Sequence, residues 1–279
     1  MQQGIENKYI ILLAKIYSNN KAKIKTDKEG APFTLSRGVK QGDAISPKLF
    51  TCLLEHVFRE IDWHNCGIDI DGSKLTNLRF ADDVVLFAKS AKDLECMLHQ
   101  LQTHCKEVGL QMNSTKTKTM TNREETRIQI EAETMQYVYL GQNVSFLDNS
   151  NKEIKRRISI AWKKFWSLRF ILMDKSQQLK IKQQILDSCI LPALIYGAQT
   201  WTTTQQQRTA LQVTQRKMER KILNISIRDR IKNTEVRRRT QVKDAATAAQ
   251  VTKWRWAGHV VRLNTNRWTK IATVWDPRE

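Results

Sequence analysis

The 279-residue sequence predicts an α+β fold in its first half and a basic, mostly helical second part. Three observations carry this expectation. Short β-prone segments alternate with amphipathic helical segments up to about residue 148. The run Leu78-Arg79-Phe80-Ala81-Asp82-Asp83-Val84-Val85-Leu86-Phe87-Ala88 sets two adjacent acids between apolar, β-prone flanks, the pattern of a hairpin with the acids at its tip. From Asn149 onward the apolar residues recur in steps of three and four while positive charge accumulates.

Taken in order, residues 9–17 form an apolar, helix-like segment. Residues 21–25 alternate Lys with Ala22 and Ile24 and predict a strand, Glu29-Gly30-Ala31-Pro32 a turn, and residues 33–37 the partner strand. Ser46 is placed to cap a helix and Pro47 suits its first turn. Phe50, Leu53, Leu54, Val57, Phe58 and Ile61 follow with helical spacing. After the acidic hairpin, Ser90 with Asp93 resembles a capping box. Leu94, Met97, Leu98, Leu101, Cys105 and Val108 trace one helical face, and Gly109 stops it. Residues 110–113, 128–130 and 137–140 read as short strands. Ile154, Ile158, Ala161, Phe165, Leu168 and Leu172 mark an amphipathic helix with a cationic remainder. Further helices are predicted around 178–191 and 206–224.

Composition narrows the function classes. The longest apolar stretch, residues 189–198, is about half of the ~20 residues a membrane span needs and contains Pro192. The start Met1-Gln2-Gln3-Gly4 has neither the basic nor the apolar region of a secretory signal. Five cysteines (Cys52, Cys66, Cys96, Cys105, Cys189) without a C-x-x-C disfavour a disulfide framework or zinc knuckle and fit a reducing compartment. Residues 1–150 carry 19 Lys+Arg and 19 Asp+Glu, whereas residues 151–279 carry 28 and 9. The whole net charge of +19 therefore lies in the second part. Such a footprint points to a polyanion, most often nucleic acid, with a solvated basic surface or a membrane-surface patch as the plainer alternatives.

Adjacent acids repel, so a tip that keeps Asp82 and Asp83 together suits a divalent metal that handles phosphates. A solvated hairpin tip is the bland alternative. Trp162 and Trp166 lie one helical turn apart among Lys163, Lys164 and Arg169. Such residues stack on bases or, more often, pack into the core. Lys253-Trp254-Arg255-Trp256 poses the same choice. Arg237-Arg238-Arg239 reads as a backbone contact or a weak nuclear signal. His259 has no cysteine nearby and makes no zinc site.

In this order, four runs resemble the reverse transcriptase of LINE-type, non-LTR retrotransposons. Arg37-Gly38-Val39-Lys40-Gln41-Gly42-Asp43 with Ser46-Pro47 and Leu49-Phe50 resembles that family's motif B. Phe80-Ala81-Asp82-Asp83 resembles motif C. Gly109-Leu110-Gln111-Met112-Asn113 with Lys116-Thr117 resembles motif D, and Tyr139-Leu140-Gly141 motif E. Trp254, Trp256, Gly258, His259, Arg262 and Arg267-Trp268 resemble the region after the thumb.

The resemblance implies a partial right-hand polymerase: palm over residues 1–148, helical thumb over 149–225 and a basic, Trp-containing extension over 226–279. It implies RNA-directed DNA polymerase chemistry with Mg²⁺ or Mn²⁺, an RNA template, a DNA primer and deoxynucleotide triphosphates, and no membrane. Asp82 and Asp83 are then metal ligands, and Lys116 approaches the triphosphate and protonates the leaving pyrophosphate. Arg37, Gln41, Gly42 and Phe80 meet nucleotide or template, and Lys155, Arg156, Lys163 and Lys164 the nucleic-acid backbone. The expected location is the nucleus, the cytoplasm or both, without secretion. The family's other metal-binding aspartate belongs to motif A, upstream of motif B. Residues 5–17 resemble the helix after it, and Glu6, Asp27 and Glu29, the acids before Arg37, lack its apolar strand context. Fingers, motif A and the upstream endonuclease are therefore expected to be missing, and the isolated chain to polymerise poorly or not at all. The competing expectation is a non-catalytic RNA- or DNA-binding remnant of the same shape.

Overall fold

The computed structural model describes residues 4–18, 20–35, 37–122, 134, 136–146, 149–264 and 266–276. They form two compact units, one built from the residues up to Ile68 with Leu75–Met112, the other from Asp69–Lys74 with the residues from Asn113 onward.

The first unit opens with α1 (Asn7–Tyr17), whose apolar residues are not buried. A minimal hairpin follows, β1 (Lys21–Ala22) and β2 (Phe33–Thr34), antiparallel in the register Ala22↔Phe33. Its strands are shorter than the alternation predicts, because neither strand has a buried face to reward a longer ladder. Helix α2 (Ser46–Glu60) starts one residue earlier than a Ser46 cap requires. Ser46 is instead the first helical residue, buried, with its hydroxyl 3.2 Å from the Tyr17 hydroxyl. The helix start is braced by Asp43, whose carboxylate accepts the Ile45 N–H at 3.2 Å.

Strands β3 (Ile68–Ile70) and β4 (Ser73–Leu75) flank a tight turn in which Asp71 and Gly72 have φ of +52° and +72°. Asp-Gly between alternating residues is a strong hairpin signal, and it marks this element in the sequence although the periodicity reading passes over it. Strands β5 (Asn77–Phe80) and β6 (Asp83–Leu86) form the predicted acidic hairpin. Helix α3 (Ala91–Glu107) begins at the Ser90 cap, with Ser90 accepting the Asp93 N–H at 3.1 Å, the one half of the expected capping box that forms, and ends before Gly109 at φ +78°. Val57, Trp63, Met97, Leu101 and Cys105 make the core of this unit. Val84, Leu86 and Ala88 of the hairpin segment pack against it, and Trp63 Nε1–H donates to Gln100 Oε1 at 2.8 Å. Residues 110–113 form no strand. Leu110 and Met112 alternate because both dip into this core. The expected strand at 128–130 lies outside the described residues.

In the second unit, β7 (Gln136–Tyr139) and β8 (Gln142–Ser145) pair through a turn at Leu140 and Gly141, with φ of +48° and +74°. Helix α4 (Asn149–Ser167) and the single turn α5 (Arg169–Leu172) realise the predicted amphipathic helix, interrupted at Leu168. Its face of Ile154, Ala161, Phe165 and Leu172 is buried. Helix α6 (Leu179–Ile185), a π-helical turn (Leu186–Ile190) and α7 (Leu191–Ile195) follow as one run. The wide turn sits just before Pro192, which cannot donate to the ladder and crowds the preceding turn. Helix α8 (Gln205–Ile222) opens with a Thr204–Gln207 capping box. It packs with α9 (Asn233–Thr240) and α10 (Ala245–Val261), and α11 (Trp268–Val274) closes the order. Among the described residues no helix is long and apolar enough to cross a membrane.

Candidate active site

The acidic tip is a two-residue hairpin. The ladder runs from Asn77↔Leu86 to Phe80↔Asp83, leaving Ala81 and Asp82 as the loop. Ala81 has φ +53°, the sign a tight hairpin needs at its first central position if the turn is to follow the strand twist. A left-handed alanine costs about 1–2 kcal/mol, and such strain gathers at functional sites. Arg79 and Val84 share the inner face: Val84 packs on the core, and Arg79 pairs with Glu55 at 2.8 Å and lies over the Phe58 ring at 4.4 Å. Arg79 is thus paired with Glu55, on the opposite face of the hairpin from Asp83. The other face carries Leu78, Phe80, Asp83 and Val85. Phe80 is 61% exposed, and Asp82 and Asp83 are exposed beside it.

The donor chemistry fits a hard divalent cation, since two carboxylates offer only oxygen ligands. Among the described residues no group of three His, Cys, Asp or Glu side chains gathers. Two carboxylates alone would fill only part of such a cation's coordination shell.

Arg37, Gln41 and Gly42 lie exposed in the loop before α2, in the same unit as the tip. Gly38 and Gly42 hold φ of +94° and +86°, which glycine reaches without a Cβ penalty. Lys40 Nζ stands 5.8 Å from the Tyr17 ring centre. The structure thus brings Phe80, Asp82 and Asp83 together at one tip and holds the other three on a loop.

The remaining predicted residues belong to the second unit. Lys116 ends a 3₁₀ turn, Ser114–Lys116, in which Asn113 accepts its N–H at 3.2 Å, and its side chain is exposed. Lys155, Lys163 and Lys164 line α4 in solvent. Arg156 is engaged instead, donating to Glu153 Oε2 at 2.8 Å and to the Gly141 carbonyl at 2.5 Å. Trp162 packs on the core. Trp166 stacks on Trp162 at 6.2 Å, half in solvent, with Lys221 Nζ 5.1 Å from its ring. Arg237, Arg238 and Arg239 all enter ion pairs, with Glu219 or Glu235.

One arrangement escapes a sequence reading. Glu153 is fully buried and accepts from Arg157 Nε at 2.6 Å, from Arg156 and from the Asn143 N–H at 2.9 Å. Arg157 also donates to the Gly141 carbonyl and lies 4.4 Å from the Tyr196 ring, whose hydroxyl donates to the Leu140 carbonyl at 2.9 Å. The β7–β8 tip is thereby clasped onto α4. The spacing of Glu153 to Arg156 and Arg157 is a readable helical pairing signal, but its target on the hairpin is tertiary. Burial alone would push the Glu153 carboxyl up, yet hydrogen bonds from Arg156, the Asn143 backbone and Arg157 together hold it below its ordinary 4.5.

A family model described as reverse transcriptase (RNA-dependent DNA polymerase) matches residues 3–144. A transposon-derived protein of Caenorhabditis elegans is 34% identical over 222 residues, covering 75% of this chain and 79% of that protein. The Pol polyprotein of the type-1 retrotransposable element R2 of Nasonia vitripennis is 35% identical over 106 residues, 38% of this chain. That of a type-2 retrotransposable element of Drosophila melanogaster is 38% identical over 85 residues, 30% of this chain. The matches span 10% and 8% of those two polyproteins. With four motif runs in order and a family match over half its length, the chain belongs to the reverse transcriptases, RNA-directed DNA polymerases, of the non-LTR retrotransposon type.

Proposed function

We propose that the β5–β6 tip is the metal-binding part of a two-metal nucleotidyl-transfer centre that extends a DNA primer on an RNA template. The observation that carries this is the exposed Asp82–Asp83 pair on a strained two-residue turn inside the family-matched segment. Asp82 and Asp83 hold Mg²⁺ or Mn²⁺, which when bound stabilises the charge at the attacking and leaving oxygens. Phe80 lines the pocket beside them. Gln41 and Gly42 let template and nucleotide approach the backbone closely, and Arg37 meets a phosphate. Lys116 supplies a proton to the departing pyrophosphate. Residues 1–148 serve as a partial palm, 149–225 as a thumb and 226–279 as an extension, with Lys155, Lys163 and Lys164 following the nucleic-acid backbone while Arg156 stays with Glu153. The nucleus or cytoplasm is the matching location.

Mn²⁺ titration followed by paramagnetic line broadening tests the tip. Broadening is expected to concentrate on the amides of residues 80–84 and to vanish in Asp82→Asn. Broadening centred elsewhere, or unchanged in that variant, removes the assignment. In primer extension, any Mg²⁺-dependent product must fall to background in Asp82→Asn.

A second reading, a nucleic-acid-binding descendant without catalysis, is favoured by one observation: no third metal-binding side chain joins the pair among the described residues. It expects salt-sensitive RNA binding with no Mg²⁺-dependent extension.

A further inference from the structure

We propose that the outer face of α10 is a binding site for single-stranded nucleic acid, with Trp254 as its stacking platform and Arg255 and Arg262 as its phosphate contacts. This goes beyond the polymerase reading and does not depend on the Asp82 hairpin.

Helix α10 is apolar on two sides. Ala245, Ala249 and Val260 face inward and are buried. Val251, Trp254, Arg255, Gly258, Val261 and Arg262 fall at i, i+3, i+4, i+7, i+10 and i+11, so they share a single stripe on the opposite side. Trp254 is 69% exposed and Val261 70% exposed. A helix with apolar residues on both sides is normally covered on both. Here nothing among the described residues covers the outer one, and the tryptophan most exposed in the chain stands at its middle.

The stripe is shaped as well as exposed. Gly258 has ordinary helical φ, so no backbone demand explains it. Glycine weakens a helix interior relative to alanine. What its missing side chain leaves is a notch between Trp254 and Val261, where the Arg262 Nη1 lies 3.5 Å from the point a Cβ would occupy. Behind the end of the stripe, Lys270 Nζ donates to the Val261 carbonyl at 3.1 Å.

Charge selects the occupant. From Ala245 to Trp275 the chain holds Lys253, Arg255, Arg262, Arg267 and Lys270 and no acid at all. Arg255 and Arg262 make no ion pair among the described residues, unlike Arg237, Arg238 and Arg239 nearby in sequence. A polyanion is the complement. The cations interrupt the apolar stripe along its length and do not stand on the far side of the helix, as they would on one that lies flat in a lipid surface. One exposed indole face with Arg255 beside it and Arg262 two turns further along the stripe matches a stacked base with phosphates to either side. Eleven steps from Val251 to Arg262 give a stripe of about 16 Å, room for about five nucleotides at the ~3.4 Å spacing of stacked bases.

The test uses the full chain and fluorescein-labelled 12-nucleotide RNA, the same sequence as single-stranded DNA, and a matching duplex, read by anisotropy. Trp254→Ala is expected to weaken single-strand binding about tenfold, the usual loss for one stacked base, with an unchanged thermal melt. Trp254→Phe is expected to keep most of that affinity. Arg255→Ala with Arg262→Ala is expected to lower the salt slope by about 1.4, from ~0.7 per single-strand phosphate contact. Single-strand binding is expected to be the same in EDTA as in Mg²⁺, which separates this site from the metal tip. Fluorescence quenching by the oligonucleotide should shrink in Trp254→Phe, a readout independent of Trp254→Ala folding. Parent-like affinity in Trp254→Ala overturns the proposal, as does an equal loss for single strand and duplex. Trp254-dependent binding to anionic vesicles, or Trp254-dependent self-association, in place of strand binding also overturns it.

Discussion

Glu153 is a carboxylate with no surface in water, flanked by a nearly buried guanidinium. Deleting one member of such a pair strands the other, and Glu153→Ala is expected to cost about 3–5 kcal/mol by urea unfolding at pH 7. Because the folded carboxyl sits below its ordinary value, its contribution is present above about pH 4.5 and is lost as pH falls through the lower folded value. Unfolding midpoints measured from pH 7 to pH 3 should therefore fall less steeply in Glu153→Gln than in the parent; equal slopes would remove Glu153 from the account. Asp82 and Asp83 are legible in sequence because flanks and tip are neighbours along the chain. Glu153 is half legible: its arginines lie on the same helix, while the Asn143 N–H that it accepts and the Gly141 carbonyl that those arginines reach come into place only once the hairpin docks.

Turns show the same divide between local and tertiary causes. The β5–β6 hairpin, the Ser90 cap and the α8 helix follow from signals within a few residues. Strand β8 and the β3–β4 hairpin escape the periodicity reading because each is short and only partly buried. Residues 110–113 alternate like a strand but spend that alternation on core packing. Glycines separate the two kinds of cost. Gly67 and Gly109 both hold positive φ, +90° and +78°. A Cβ on Gly109 meets open space, whereas one on Gly67 would lie 2.5 Å from the Leu75 carbonyl oxygen. Gly109→Ala is expected to cost only the left-handed penalty of about 1–2 kcal/mol, and Gly67→Ala clearly more. Chemical denaturation of both variants checks the order, and equal losses would refute it.

At the scale of the whole molecule the decisive quantity is the charge division, 28 cations against 9 acids after residue 150. Folding spends part of it: Arg156, Arg157, Arg216, Arg237, Arg238 and Arg239 all pair with acids. Lys155, Lys163 and Lys164 remain in solvent. If six cations meet phosphates, duplex affinity should fall about a thousandfold between 50 and 200 mM salt. A nearly flat salt titration would exclude the electrostatic footprint. Composition revealed the asymmetry; which cations are already occupied needed the folded partners.

Helix α1 presents Tyr9, Ile11 and Leu12 to water with none of its residues buried. Bare aliphatic surface of that kind is what chaperones hold and proteases clear. Sheltering that helix is expected to lengthen the protein's lifetime in a cell, whatever the state of its catalytic residues.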